Sequence, residues 1–198
     1  MSSDPTAETS RRADAVRNRA RILDAARLVF AEPADGAPTG GQAAPEQSMA
    51  EVARRAGVGR GTLYRNFPSR RELLEALFAD EVSALIAAAA LSEEDPGAAL
   101  LGWLHRFAAF EGTKRAIVTE LLEYTDSSDP MFGSGRQRVV AAGEPLLSAA
   151  QLAGQIREDV TLVQALDIVL AIARLDRDPD QIKSLLQVAL DGLRASSV

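Results

Sequence analysis

Apolar and polar positions repeat every three to four residues from about residue 15 to the C-terminus, the period of amphipathic α-helices. Glycine and proline divide this pattern into about nine predicted helices. They span approximately residues 15–31, 48–56, 60–67, 70–91, 95–111, 113–124, 135–152, 161–175 and 179–195. A kink or break is expected at Gly143 and Pro145 in the seventh. Because no stretch has the alternation of a β-strand, the pattern predicts an all-α fold.

Composition divides the chain into an arm and two domains. Residues 1–12 are polar and are expected to form a disordered N-terminal arm. Residues 13–75 are predicted to form a three-helix domain, and residues 76–198 a larger helical domain. Within the first domain, residues 33–47 contain three Pro, three Gly and four Ala and are interpreted as a loop insertion. The segment lacks Lys and Arg, which favours a surface loop over one that contacts DNA or a partner.

The segment SMAEVARRAGVGRGTLYRNF, residues 48–67, has the pattern of two short helices joined by a tight turn. Ser48 and Glu51 have the spacing of a capping box, which predicts that the first helix begins at Ser48. Gly57 can adopt the positive φ of a helix C-cap. Leu63 and Phe67, four residues apart, form the apolar side of the second helix. The segment therefore predicts a helix-turn-helix.

The other faces of the second helix carry side chains that suit a DNA duplex. They are Arg60, Thr62, Tyr64, Arg65 and Asn66. Guanidinium groups donate to guanine or phosphate, and hydroxyl groups donate to phosphate oxygens. The alternative is an ordinary helical hairpin with a solvated basic face. The combination of cap spacing, glycine turn and apolar anchors favours a recognition helix.

The formal net charge of −6 is unevenly distributed. Residues 11–27 carry a net +4 and residues 48–71 a net +5, whereas residues 76–198 carry a net −8. The positive charge needed for phosphate contact is therefore concentrated in the N-terminal domain. The acidity of the whole chain belongs to the C-terminal domain, where it discourages non-specific binding.

The runs RARILDAARLVFAE and MAEVARRAGVGRGTLYRNFPSRRELLEALF resemble the tetracycline-repressor (TetR) family of bacterial transcription regulators. The remainder is similar to the family in length, helical layout and the phrase AGQIREDV. The loop between the first two helices is longer than the family pattern. The resemblance implies a homodimeric repressor that binds a palindromic DNA operator. It also implies release from the operator when a small-molecule effector binds the C-terminal domain, and no cofactor.

The resemblance also implies which positions contact DNA. The expected base-reading positions are Arg60, Gly61 and Tyr64. The expected phosphate contacts are Thr62, Arg65, Asn66 and Arg70, with Ser48 or Met49 at the backbone beside the second helix. By the same comparison, Leu63 and Phe67 anchor the helix and do not touch DNA.

The last two predicted helices have wide apolar faces and are expected to form the dimer interface. A helix-turn-helix dimer needs two half-sites about 34–36 Å apart, which favours a four-helix contact across a two-fold axis. The alternative is that one internal core absorbs both faces. The expected interface residues are Leu166, Val169, Leu170, Ile182, Leu185, Leu186, Ala189 and Leu193.

An effector site is expected between helices of the C-terminal domain, where apolar groups surround a few polar ones. The expected lining residues are Trp103, Phe107, Phe110, Glu120, Tyr124 and Phe132. Each of these side chains could instead belong to the core or the surface. His105, the single histidine, has no partner at metal-ligand spacing, so no metal site is predicted.

Other classes of protein are disfavoured. The chain has no cysteine, no apolar run of membrane length and no signal-peptide core, so a cytoplasmic protein is expected. It lacks a Ser/His/Asp set, a phosphate-binding loop and a recognisable carboxylate pair, so no enzymatic activity is expected. The alternative function is a constitutive or architectural DNA-binding protein without a small-molecule effector.

Overall fold

The computed structural model of the protein describes residues 5–31, 45–90 and 95–195. These residues form eight α-helices. They are α1 (Pro5–Ala31), α2 (Pro45–Ala56), α3 (Arg60–Asn66), α4 (Arg70–Ala89), α5 (Pro96–Leu121), α6 (Pro130–Leu152), α7 (Leu162–Ala173) and α8 (Pro179–Asp191). The predicted all-α fold is confirmed, with one helix fewer than expected.

The chain forms two compact units. The first contains Met1–Phe78 and Thr119–Tyr124, and the second contains Ala79–Val118 and Thr125–Val198. Helices α4 and α5 each contribute residues to both units. The sequence pattern predicts a boundary between residues 75 and 76, with residues 119–124 in the C-terminal domain. The end of α5 is therefore a part of the first unit that the sequence did not indicate.

Two helices are longer than their glycines and prolines suggested. Gly112 was expected to end a helix, but α5 continues through it because Phe110 and Ile117 are buried on either side. This burial offsets the cost of about 1 kcal/mol for a glycine inside a helix. Helix α6 begins at Pro130 rather than near residue 135, and it contains Pro145 without ending there. Its start is fixed by Asp129, whose carboxylate accepts from the Met131 amide at 2.9 Å.

The first unit is built by packing α1 against α2 and α3. Helix α1 begins at Pro5, so the expected disordered arm is corrected for residues 5–12, which contain no internal helix breaker. Helix α2 begins at Pro45, three residues before the predicted start, because proline is well tolerated in the first helical turn. Ser48 therefore lies inside α2 and is not its N-cap, which corrects the predicted capping box. Most of the predicted loop insertion, namely its residues 33–44, lies outside the described residues.

The second unit contains α6, α7 and α8 packed in sequence. A capping box starts α7, in which the Thr161 hydroxyl accepts from the Gln164 amide and the Gln164 side chain accepts from the Thr161 amide. Asp178 caps α8 by accepting from the Asp180 amide at 2.9 Å. An isolated antiparallel bridge between Ile156 and Arg194 joins the segment after α6 to the end of α8.

Trp103 is the largest fully buried side chain of the second unit. Its indole Nε1 donates to the Leu85 carbonyl at 3.0 Å, and its ring stacks on Phe107 with centroids 6.4 Å apart. Gly143 of α6 approaches the indole so closely that an added Cβ would lie 2.5 Å from Trp103 Cη2 and 2.9 Å from Leu162 Cδ2. Glycine is therefore required where α6 passes the tryptophan.

Replacing Gly143 with alanine should lower the free energy of unfolding by about 1–3 kcal/mol, because the new methyl group overpacks a filled core. The matched control is Gly133→Ala in the same helix, where an added Cβ meets nothing within 4 Å. The control should leave stability unchanged or slightly raised, since alanine favours the helix. Urea unfolding of both variants measures the difference, and equal midpoints would contradict the close contact.

Candidate nucleic-acid interface

The turn between α2 and α3 is a glycine-terminated helix end. Gly57 has φ +62°, as predicted. Its amide donates to the Arg54 carbonyl at 3.1 Å, and the Val58 amide donates to the Ala53 carbonyl at 3.0 Å. These two bonds form a Schellman motif, which satisfies the last carbonyls of α2 and redirects the chain. Arg21 of α1 adds a third contact by donating to the Gly57 carbonyl at 3.3 Å.

Helix α3 is held by two apolar anchors. The exposed fraction of Leu63 is 0% and that of Phe67 is 1%, so both side chains are fully withdrawn from solvent. The guanidinium of Arg19 lies 4.5 Å from the Phe67 ring centroid, a cation–π contact that covers the end of the helix. Burying both anchors turns the remaining faces of α3 outward.

The outward side of α3 carries most of the residues that sequence analysis assigned to DNA contact. Arg60, Gly61, Tyr64 and Arg65 are exposed, while Thr62 and Asn66 are half-buried. Apart from the neighbouring backbone of α3, no heavy atom of the described residues lies within 4 Å of the Cβ position of Gly61, so its backbone is open to close approach. The exposed fraction of Tyr64 is 37%. This surface can donate to base edges and phosphates together.

Local hydrogen bonds orient part of this surface. Arg65 donates to the Gly61 carbonyl and to the Thr62 hydroxyl, both at 3.1 Å. Asn66 donates to the Thr62 carbonyl at 2.8 Å. These bonds order the side chains on the C-terminal half of α3. Within the described ranges, Arg60 at the start of α3 is exposed and forms no hydrogen bond or ion pair.

The expected contacts outside α3 are buried. Ser48 and Met49 lie inside α2, with exposed fractions of 6% and 3%. The exposed fraction of Arg70 is 8%, and each of its three guanidinium nitrogens has a partner within the first unit. Arg70 therefore offers no open guanidinium to a phosphate in this structure, which corrects the expected contact. The burial and pairing of Arg70 could not be predicted from local sequence spacing, because the carboxylate that binds it lies 50 residues further along the chain.

The partners of Arg70 come from α2, α5 and the turn after α5. Nε donates to the Ser48 hydroxyl at 3.2 Å, Nη1 to the Tyr124 hydroxyl at 3.4 Å, and Nη2 to the Glu120 carboxylate. The Phe30 ring centroid lies 5.5 Å from the guanidinium carbon. Burial alone would lower the pKa of Arg70, but the bonds to Tyr124 and Glu120 outweigh it and raise that pKa.

Two arginines of α2 are bound within their own helix. Glu51 accepts from Arg54 at 2.6 and 2.7 Å and from Arg55 at 2.7 Å. These hydrogen bonds lower the pKa of Glu51 to about 2. Glu51 is therefore ionised at neutral pH and neutralises part of the positive charge on α2.

Comparison with known proteins identifies both parts of the chain. Residues 95–195, half of the sequence, match the domain described as "Transcriptional regulator SbtR-like, C-terminal domain". Residues 44–77, which include α2 and α3, match "Bacterial regulatory proteins, tetR family". The chain belongs to the TetR family. It is therefore a DNA-binding transcription regulator, as the sequence analysis predicted.

Solved structures of TetR-family proteins support this membership. A TetR transcriptional regulator from Streptomyces coelicolor is 35% identical over 90% of this chain and 99% of its own, with a TM-score of 0.75. A TetR transcription regulatory protein from Mycobacterium vanbaalenii is 33% identical over 93% and 99%, with a TM-score of 0.71. Salmonella enterica GusR, 20% identical over 89% and 93% with a TM-score of 0.58, shares the fold. Comparison with curated protein sequences gives no match.

Within the described residues of this TetR-family protein, no helix is long and apolar enough to cross a membrane. Over the same ranges, no three His, Asp or Glu side chains are grouped in a way that could hold a metal ion. TetR-family proteins are generally regulators rather than enzymes.

The residues expected to line an effector pocket are distributed between the two units of the regulator. Trp103, Phe107 and Phe110 are buried on α5, and Phe132 is half-buried on α6. Glu120 and Tyr124 belong to the first unit, where they bind Arg70. Phe110 lines an open groove of about 260 Å³ between α4 and α5. The other residues of this groove are Glu81, Ala84, Leu85, Ala88, Arg106, Ala109 and Thr113.

The expected dimer residues of α7 and α8 lie mostly inside the second unit. Leu166, Val169, Leu186 and Leu193 are buried, whereas Leu170, Ile182 and Ala189 are half-buried. Leu185 is 44% exposed. Three further large apolar side chains of α7, α8 and the segment between them are also exposed, namely Ile168, Leu175 and Val188. Each of the two helices therefore has an inner apolar face and an outer one, and sequence periodicity did not separate them.

Replacing Arg60 with alanine should weaken binding to a specific duplex by about 1–3 kcal/mol and relax sequence preference, because a guanidinium that is expected to read a base is lost. Fluorescence anisotropy on a duplex selected from a random pool, and on its scrambled form, measures both effects. The control is Arg157→Ala, which removes an exposed arginine of the second unit that is bound to Asp159. Equal losses on the two duplexes would contradict base reading by Arg60.

Proposed function

We propose that the protein is a homodimeric repressor that binds a palindromic operator and is released by a small molecule. The observation that carries this proposal is α3, whose anchors are buried and whose Arg60, Tyr64 and Arg65 face outward. We propose that α3 lies in the major groove, with Arg60, Gly61 and Tyr64 at base edges. Thr62, Arg65 and Asn66 would then contact phosphate at the groove wall.

The outer faces of α7 and α8 support the proposed dimer. Ile168 lies on α7, Leu175 lies two residues beyond its end, and Leu185 and Val188 are three apart on α8, so the last two share a face. Their exposed fractions are 44%, 44%, 44% and 69%. We call these four residues the outer apolar surface. A second copy of the chain that covers this surface would remove four large apolar side chains from water, which favours association.

A dimer would also explain why a single recognition helix suffices per chain. Two copies related by a two-fold axis present two copies of α3 to successive major grooves of one face of the duplex. The operator should then be a palindrome. A heterologous contact would not give this symmetry.

The groove between α4 and α5 supports binding of a small molecule by the second unit. Its floor is apolar, with Leu85 and Phe110, and its rim carries Glu81, Arg106 and Thr113. An apolar surface with a few polar groups is the usual form of a small-molecule site. Four of the residues that line the groove are alanine or leucine. Larger side chains at these positions would fill the space that is open to a ligand.

The second candidate function is a constitutive DNA-binding regulator without an effector. The packing of Trp103 against Gly143 favours it, because this contact fills the region in which an aromatic pocket was expected. The two candidates differ in whether any small molecule releases the operator.

The proposed function is tested with a duplex selected by the protein from a random pool. The expected result is a palindromic consensus bound by two copies, and release of that duplex by at least one compound of a small-molecule library. Trp103 is the single tryptophan, and it donates to Leu85 at the groove, so its emission should change with the releasing compound. Selection of a non-palindromic site would contradict the dimeric repressor, and failure of every compound would favour the constitutive regulator.

Replacing Val188 with glutamate should convert the protein to a monomer at micromolar concentration, because it places a charge in the proposed interface. Sedimentation velocity measures the change. The matched control is Val163→Glu, since Val163 is 40% exposed on α7 but lies about 140° around the helix from Ile168. A wild-type monomer, or equal sedimentation of both variants, would contradict the outer apolar surface as the interface.

A further inference from the structure

The first unit contains a buried arginine that joins three segments of the chain. Arg70 stands in the first turn of α4 and is bonded to Ser48 of α2, to Glu120 of α5 and to Tyr124 beyond it. A second carboxylate, Glu123, lies 3.6 Å from Nη1. These contacts use the whole guanidinium fork. The arrangement is therefore a fixed connection between α2, α4 and the end of α5.

This connection explains why the end of α5 belongs to the first unit. Pro96–Val118 of α5 lies in the second unit, whereas Thr119–Tyr124 lies in the first. Leu121, with an exposed fraction of 0%, gives this short segment an apolar anchor. The bonds from Arg70 to Glu120 and Tyr124 supply its polar attachment.

The position of Arg70 is not explained by the stability of α4. A cation in the first turn of a helix is repelled by the positive end of the helix dipole. The charge is also costly to bury unless partners are present, and removing one partner of a buried pair leaves an uncompensated charge. The contacts of Arg70 with α2 and the α5 end supply the compensation.

We propose that Arg70 is a positioning residue for DNA recognition. It fixes α2 and the end of α5 to the start of α4, and α2 in turn sets the position of α3 through the Gly57 turn. Arg70 thereby contributes to operator affinity without touching DNA. The DNA-affinity part of the inference rests on the proposed role of α3.

The salt dependence of DNA binding separates positioning from phosphate contact. Arg70→Met removes the charge and keeps an apolar stem, and Arg71→Met is the matched control on the neighbouring exposed arginine, which is bound to Glu75. Arg70→Met should weaken binding roughly tenfold, within the range of coupled buried networks. The slope of log affinity against log salt should stay at the wild-type value. A slope reduced by about one would identify a phosphate contact and overturn the proposal.

A double-mutant cycle tests whether Arg70 acts through Glu120. Glu120→Gln alone should also weaken DNA binding. This is the opposite of what charge alone predicts, because a carboxylate repels DNA and its removal would strengthen binding. Arg70→Met combined with Glu120→Gln should lose less than the product of the two separate losses, because both changes remove one interaction. Tyr124→Phe is the milder variant, in case Arg70→Met does not fold. Multiplicative losses, or tighter binding by Glu120→Gln, would contradict the proposal.

Hydrogen exchange of the free protein tests the connection without DNA. In Arg70→Met and Glu120→Gln, amides of residues 119–124 and of α2 should exchange faster than in the wild-type protein. Arg71→Met and the amides of α8 should be unchanged. Unchanged exchange at residues 119–124 in both variants would overturn the connection. Failure of the wild-type protein to bind any duplex would instead refute the proposed function, so the two failures are distinguishable.

Discussion

The orientation of α3 depends on the burial of Leu63 and Phe67. The helix has seven residues, too few to be stable in water by itself, so its position is set by what it packs against. With these two side chains withdrawn from solvent, Arg60, Tyr64 and Arg65 must face outward. The Schellman turn at Gly57 fixes the direction in which α3 leaves α2. A small number of apolar contacts therefore determines which polar groups the surface presents.

The arginines of the N-terminal third have different physical roles. Arg60 and Arg65 lie on the open side of α3, Arg19 covers Phe67, and Arg21 binds the Gly57 carbonyl. Arg70 is buried and holds the end of α5. The net positive charge of the segment is thus not a uniform DNA-binding patch. Some of these arginines stabilise the first unit. Those on α3 face outward because of the way in which that unit packs.

Local patterns predicted the features that depend on neighbouring residues. The four-residue spacing of Leu63 and Phe67 predicted both anchors, and Gly57 predicted the left-handed turn that the structure contains. Predictions were wrong where contacts between residues far apart in the sequence determine the ends of the helices. Gly112 does not end α5 because burial on both sides favours the helix. Ser48 is no helix cap, since α2 begins at Pro45 and the Ser48 hydroxyl accepts a bond from Arg70, 22 residues away.

The expected dimer surface and effector pocket were harder to predict, because both depend on contacts between residues far apart in the sequence. The faces of α7 and α8 are apolar on more than one side, so periodicity alone could not tell the inner residue Val169 from the outer residue Val188. Likewise, Glu120 and Tyr124 follow the aromatic residues of α5 in sequence, which suggested a common pocket. Their polar atoms instead bind Arg70 in the other unit, a pairing that sequence spacing does not encode.

Dimethyl sulfate protection of a selected duplex can show whether α3 lies in the major groove, as proposed. Dimethyl sulfate methylates guanine N7 in the major groove and adenine N3 in the minor groove, so it distinguishes the two faces of the duplex. The protein should protect guanine N7 in each half-site, and Arg60→Ala should restore reactivity at one of these guanines. Protection confined to adenine N3, or unchanged guanine reactivity, would contradict the proposed position of α3.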